Sequence, residues 1–225
     1  MRPSWVTRQI GDFVAQFCAS GGNEAWIGVQ TLDGLGGAPQ GGLWRQGGRL
    51  EVAPDLSLSE GFVWRPDDAA RVPELWLAPE KTGYRRAFER FAVRELGASG
   101  LEGADVQIDH VFPKGAGRLG GLAYVRMLAV PPESNMAAGR TLEKAMVARN
   151  DALGPRAKPA RMATYFSVGK ATGFDGYDSL PDEEEGGNLG LAGALIAHLR
   201  GFGLPGDVLT DLDAMLTADR ARSLR

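Results

Sequence analysis

The chain has 225 residues, 44% of them hydrophobic and 24% charged, with a formal net charge of −3, which is enough apolar material for one good-sized core or two small ones. Its single cysteine, Cys18, excludes a disulfide framework and a cysteine-built zinc ribbon and reads as a buried structural thiol. No run of about 18 apolar residues is present to span a bilayer, so no membrane partner is expected. The N-terminus, interrupted by Asp12 and Gln16, does not read as a signal peptide; the default expectation is cytoplasmic, with export by a signal-independent secretion system left open.

In chain order, Val6, Ile10, Phe13, Val14 and Phe17 recur at helical spacing over the first 20 residues, and Gly21-Gly22 ends that helix. Glu24 to Leu32 reads as a strand. The glycine-rich segment that follows cannot be a regular element, and because it lacks a Gly-Lys-Ser/Thr ending it is not a phosphate loop. Trp44, Leu50, Val52, Phe62, Val63 and Trp64 suggest short strands, and Trp76-Leu77 another. Between Lys81 and Leu96, Tyr84, Phe88, Phe91 and Leu96 form one face of an amphipathic helix, with Arg85, Arg86, Arg90 and Arg94 largely elsewhere.

The most informative stretch runs from Val106 to Arg149. A short alternating run, Val106, Ile108, Val111 and Phe112, carries the adjacent pair Asp109-His110 at its end. A glycine-rich connection leads to a second run, Tyr124 to Val130, so that the two read as a hairpin with a long connection. Pro131-Pro132 stops it. Ser134 is then the expected N-cap of a helix from Asn135 to about Arg149.

The order strand, loop, strand, helix, with Asp-His at the end of the first strand and Asn at the head of the helix, resembles the His-Me finger (ββα-metal, HNH-like) nucleases. It is closer to the Asp-His…Asn pattern of phage junction resolvases than to HNH proper, since no third His follows the helix and no paired Cys-x-x-Cys motif is present. The resemblance covers roughly a fifth of the chain. It implies that His110 is the general base, that Asp109 and Asn135 are metal ligands for one divalent cation, Mg²⁺ or alternatively Mn²⁺, and that Glu143 is an outer acid on the same helix. It further implies an endonuclease acting on DNA, or on RNA as the lesser choice, of the kind used as a bacterial toxin or in defence against phage.

The chemistry suits those residue types. An imidazole with a pKa near 6.5 can take a proton from water, and a hard cation held by one or two protein oxygens can stabilise charge growing on phosphate. One geometric condition attaches: neighbours on a strand face opposite ways, so Asp109 and His110 share a site only if the strand ends or twists there. From Asp109 to Lys170 there are ten basic residues against four acids, which makes this segment, with Lys114, Arg118, Arg126, Arg140 and Lys144, the expected nucleic-acid-binding surface.

After Leu153 a Pro-rich connection breaks the helix, and Met162 to Val168 reads as a strand. Residues 174–187 form an acidic loop, of which 175–185 could face a protein partner or lie over the basic surface. Two helices, residues 188–201 and 205–225, complete the chain, the first holding His198 as an ordinary helix residue. The expected fold is α+β, mixed short strands and helices around the finger. Its regions are an N-terminal α/β part (1–100), the finger with its basic segment (101–170), and the acidic loop with C-terminal helices (171–225), all compatible with one domain. Two alternatives stay open: a catalytically silent HNH-like finger acting as a nucleic-acid-binding or protein-interaction module, and an acidic protein that captures a basic partner.

Overall fold

The computed structural model describes residues 2–19, 25–32, 47–153, 160–179 and 189–221. The glycine-rich segment 33–46, with Trp44, and residues 180–188 of the acidic loop lie outside the described residues, as do Arg156 and Lys158. Helix α1 (Ser4–Ala19) buries Val6, Ile10, Phe13 and Phe17 as the spacing predicts. The strands are β1 (Trp26–Val29), β2 (Gly48–Glu51), β3 (Gly61–Pro66), β4 (Glu74–Leu77), β5 (Gln107–His110), β6 (Tyr124–Val130) and β7 (Ala160–Met162). All their pairings are antiparallel, in the order β2-β3-β4-β6-β1-β7, with β5 added to β6. The fold is mixed α+β, as expected.

Strand β6 organises the sheet. It is seven residues long and buried throughout. Its first half pairs with β1 and β4, through Gly28↔Val125 and Trp76↔Arg126, and its second half with β5, through His110↔Met127 and Gln107↔Val130. A strand paired on both edges over its first half and covered on both faces reads as a nearly continuous apolar run, interrupted here by Arg126 alone. One core cluster extends from Trp5 on α1 through Leu75, Phe88, Ile108 and Met127 to Leu212 near the chain end. A second, aromatic cluster (Trp26, Phe62, Trp64, Trp76, Tyr124) lies on the other side of the sheet.

Helix α2 (Tyr84–Phe91), continued by a π turn over Ala92–Leu96, buries Phe88, Phe91 and Leu96 as its amphipathic pattern requires. Gly97, at φ 74°, ends it in the left-handed region that glycine enters at least cost.

Four local expectations are corrected. The connection between β5 and β6 is not a plain loop: Lys114–Leu119 forms a short helix, α3, with Ala116 fully buried. The helix after β6 begins at Pro132, where a proline at the first position loses no hydrogen bond. Ser134 is therefore not its cap; its hydroxyl is buried and donates to the Pro131 and Lys170 carbonyls. That helix also breaks at Thr141 (φ −119°, ψ −81°) into α4 (Pro132–Arg140) and α5 (Leu142–Leu153). Finally, the run expected as a strand up to Val168 is helical beyond Thr164: α6 (Tyr165–Thr172) starts on a capping box between Thr164 and Ser167. Helices α7 (Leu189–Phe202) and α8 (Gly206–Ala221) follow as expected. Among the described residues no helix is long and apolar enough to cross a membrane.

Candidate functional site

Strand β5 alternates half-buried and buried residues, Gln107, Ile108, Asp109, His110, and this alternation decides the geometry of the site. Asp109 and Gln107 share one face of the strand; His110 and Ile108 share the other. The ladder does not stop at His110, because the Val111 N–H still donates to the Arg126 carbonyl at 2.9 Å. Within β5 Asp109 and His110 therefore face opposite ways, although the strand itself ends at His110.

On the Asp109 face, the ammonium of Lys170, from α6, is ion-paired with both Asp109 of β5 and Glu143 of α5. Lys170 is 5% exposed. Burial alone would lower its pKa, but the two carboxylates outweigh that and hold it above the ordinary lysine value. One ammonium facing two carboxylates leaves an excess of negative charge. Accordingly the Glu143 carboxyl is pushed up, by burial first and by Asp109 in addition, against the pull of Lys170. The break at Thr141 turns α5 away from the line of α4, and Glu143 belongs to this separate helix and not, as expected, to the helix of Asn135.

Asn135 is placed elsewhere. Its amide donates to Gln107 Oε1 at 2.7 Å, one pleat repeat, roughly 7 Å, along β5 from Asp109. Removing it in Asn135→Ala should cost about 1 kcal/mol, read as a shifted urea midpoint.

On the opposite face, His110 is 3% exposed and its Nε2 is buried without a hydrogen-bond partner. Its ring meets Tyr84 of α2 edge-on, centroids 5.0 Å apart. Burial lowers its pKa to about 4; Asp109 opposes the shift, while Lys114 and Lys170 add to it. At neutral pH the imidazole is uncharged.

Helices α3 and α5 pack beside each other and leave an open cleft of about 580 Å³ lined by Lys114, Arg118, Lys144, Glu143, Val147 and Asp151, among others. Lys114, Arg118 and Lys144 are exposed. Glu143 belongs both to the cleft wall and to the Lys170 cluster, so the two features are contiguous.

No protein-family model matches this chain, and no curated protein or solved structure matches it.

Two residues expected to contact nucleic acid are engaged differently. Arg126 is 1% exposed, lies 3.3 Å from Glu74, donates to Gln16 at 3.0 Å and stacks over Phe13. Its assignment as a phosphate contact is corrected: β6 is covered on both faces, and its arginine belongs to a buried network. Arg140 is exposed, but its guanidinium is paired with Asp178 in the turn Gly176–Ser179. That pairing holds the Asp178 carboxyl below its ordinary value.

The residue that the sequence reading missed is Lys170, counted there only as one of ten cations. Its signal was its setting in Tyr-Phe-Ser-Val-Gly-Lys-Ala-Thr, the lone charge in an apolar run. A lysine so placed needs carboxylate partners. Cys18 is half-buried against the core, and burial raises its pKa, with Asp207 adding to the rise. His198 sits within 3.0 Å of the Thr172 hydroxyl, an ordinary packed helix residue.

Proposed function

We propose that this protein binds nucleic acid along the α3–α5 cleft, and that its β5–β6–α4 unit is a binding module that does not use His110 for hydrolysis. The observation that carries the reading is the distribution of charge around β5. Lys114, Arg118 and Lys144 stand exposed on an open cleft, while Lys170 offsets part of the charge of Asp109 and Glu143 beside it. Exposed cations supply sequence-independent affinity for phosphate, and the buried lysine lessens the repulsion that two bare carboxylates would exert on it.

The hydrolytic roles fit this arrangement less well. A general base needs reach to a water in the cleft and a pKa near the working pH; His110 is buried on the other face of the strand with a pKa of about 4. Mg²⁺ takes oxygen ligands at about 2.0–2.1 Å, and here the Asn135 amide is engaged with Gln107. A cation arriving at Asp109 or Glu143 would meet the Lys170 ammonium. As arranged, these donors do not fit a resident divalent cation.

One observation favours a second reading, hydrolysis of phosphodiesters without His110. Asp109 and Glu143 converge from two elements on Lys170, with side chains 22% and 24% exposed, and Glu143 lines the basic cleft. On that reading cleavage depends on both carboxylates and on Lys170.

The binding claim is tested by fluorescence anisotropy with labelled DNA over a range of salt. The Lys114→Ala/Arg118→Ala/Lys144→Ala variant should bind at least about tenfold more weakly, and the slope of log K against log salt should shrink by about 2 to 3. An unchanged affinity and slope would remove the cleft from the binding surface.

A further inference from the structure

A second cleft, of about 280 Å³, lies between α2 and the segment after β2, lined by Lys81, Arg86, Arg90, Arg94, Asp55 and Phe91 with several smaller residues. The three arginines are four residues apart, so they form one stripe with steps of roughly 6 Å along the helix. All three are exposed. Arg86 has no ion-pair partner among the described residues. Arg90 lies 3.5 Å from Asp55 with both side chains about half exposed, Arg94 pairs with its neighbour Glu95 at 2.9 Å, and Lys81 pairs with Glu60 at 2.7 Å. The exposed Arg90–Asp55 pair is weak, and a phosphate can compete there for the guanidinium, which matches its oxygens two at a time.

The two clefts adjoin. Arg118, on the first, lies 3.7 Å from Glu80, which precedes Lys81 on the second. Tyr84, at the head of α2, packs on His110, four residues before Lys114 at the head of α3. The Lys81 end of the second cleft therefore lies beside the Arg118 edge of the first.

We infer that the α2 cleft is a second site for the nucleic-acid backbone, continuous with the α3–α5 cleft through Arg118 and Lys81, so that one bound strand spans both. This inference rests on the nucleic-acid reading above and extends it to the length of strand held. It makes Arg86 and Arg90 contacts that a short ligand seated in the first cleft does not use.

The test measures anisotropy of single-stranded oligonucleotides of roughly six and roughly twenty-four nucleotides with the full chain, its Arg86→Ala/Arg90→Ala variant and the first-cleft triple variant. Both arginines are exposed on a helix and alanine favours that state, so circular dichroism should match the wild type. The expected result is that Arg86→Ala/Arg90→Ala weakens the long oligonucleotide about tenfold and shrinks its salt slope by about 1.4, while the short one is bound as before. Unchanged binding of the long oligonucleotide, with loss in the triple variant, would overturn the inference and leave the first cleft standing. Equal weakening of both lengths would overturn it by making the α2 stripe a site separate from the strand's length. A wild-type chain that binds neither length would overturn this inference and the functional reading together.

Discussion

Lys170→Met should lose about 3–5 kcal/mol of folding stability, the loss typical of a buried ion pair deprived of one partner. The side chain reaches from α6 to β5 and α5 at once, and its own carbonyl accepts the Ser134 hydroxyl of α4 at 2.8 Å. Without the ammonium, Asp109 and Glu143 are left as two carboxylates facing each other in a largely dry setting, and each raises the cost of charging the other. Urea denaturation at neutral pH reads the effect. The triple variant Lys170→Met/Asp109→Asn/Glu143→Gln should recover most of the loss, because it removes the uncompensated charges along with the ammonium. If Lys170→Met alone is within about 1 kcal/mol of the wild type, the triad is a surface feature of little weight and the account of this face is wrong.

Stability should also fall on mild acidification, and His110 should be a main cause. Its pKa is about 4 in the folded chain against about 6.5 when unfolded, so between those values the unfolded state binds more protons than the folded one. Stability is then fully present above about pH 6.5 and is lost as pH falls toward about 4, by up to about 3 kcal/mol. His198, the other histidine, is half-buried with a pKa that burial lowers, opposed by Asp175, and it contributes with the same sign. Comparing wild type, His110→Leu and His198→Gln over this window separates the two. His110→Leu should flatten most of the slope and hold neutral-pH stability, since an imidazole nitrogen without a partner is removed from the interior. A His110→Leu variant with the wild-type acid slope would contradict the buried, neutral state assigned to this ring.

How far these features could be read in the sequence depended on whether each was set by local pattern or by distant contact. Helices α1, α2, α7 and α8 announce themselves by period, and the β5–β6 hairpin by alternation and by its apolar run, because burial on one face imposes exactly those periods on the chain. Helix α3 was hidden because Lys-Gly-Ala-Gly-Arg-Leu has poor intrinsic helix propensity. It forms where Ala116 is buried and Gly117 lies so near Val125 that a Cβ would sit 3.4 Å from it. Helix α6 was read as a strand because Thr, Tyr, Phe and Val favour that state; a capping box at one end and Gly173, at φ 102°, at the other decide for helix.

The site divides the same way. The sequence located Asp109, His110 and Asn135 on the elements they occupy, and the rule that strand neighbours face apart already warned that Asp109 and His110 would part company. It could not foresee the break at Thr141 or the arrival of Lys170 from α6, because both are settled by tertiary packing. Arg126 looked like any other cation in a basic segment, although its place in the middle of a seven-residue apolar strand pointed to burial.

The most direct test incubates the protein with supercoiled plasmid, with Mg²⁺ or Mn²⁺ and with EDTA, beside His110→Ala, and reads mobility shift and nicking on the same gels. The account predicts a salt-sensitive shift with no nicking in any lane and the same shift from His110→Ala. Metal-dependent nicking that His110→Ala abolishes would contradict it and restore the histidine-base hydrolase.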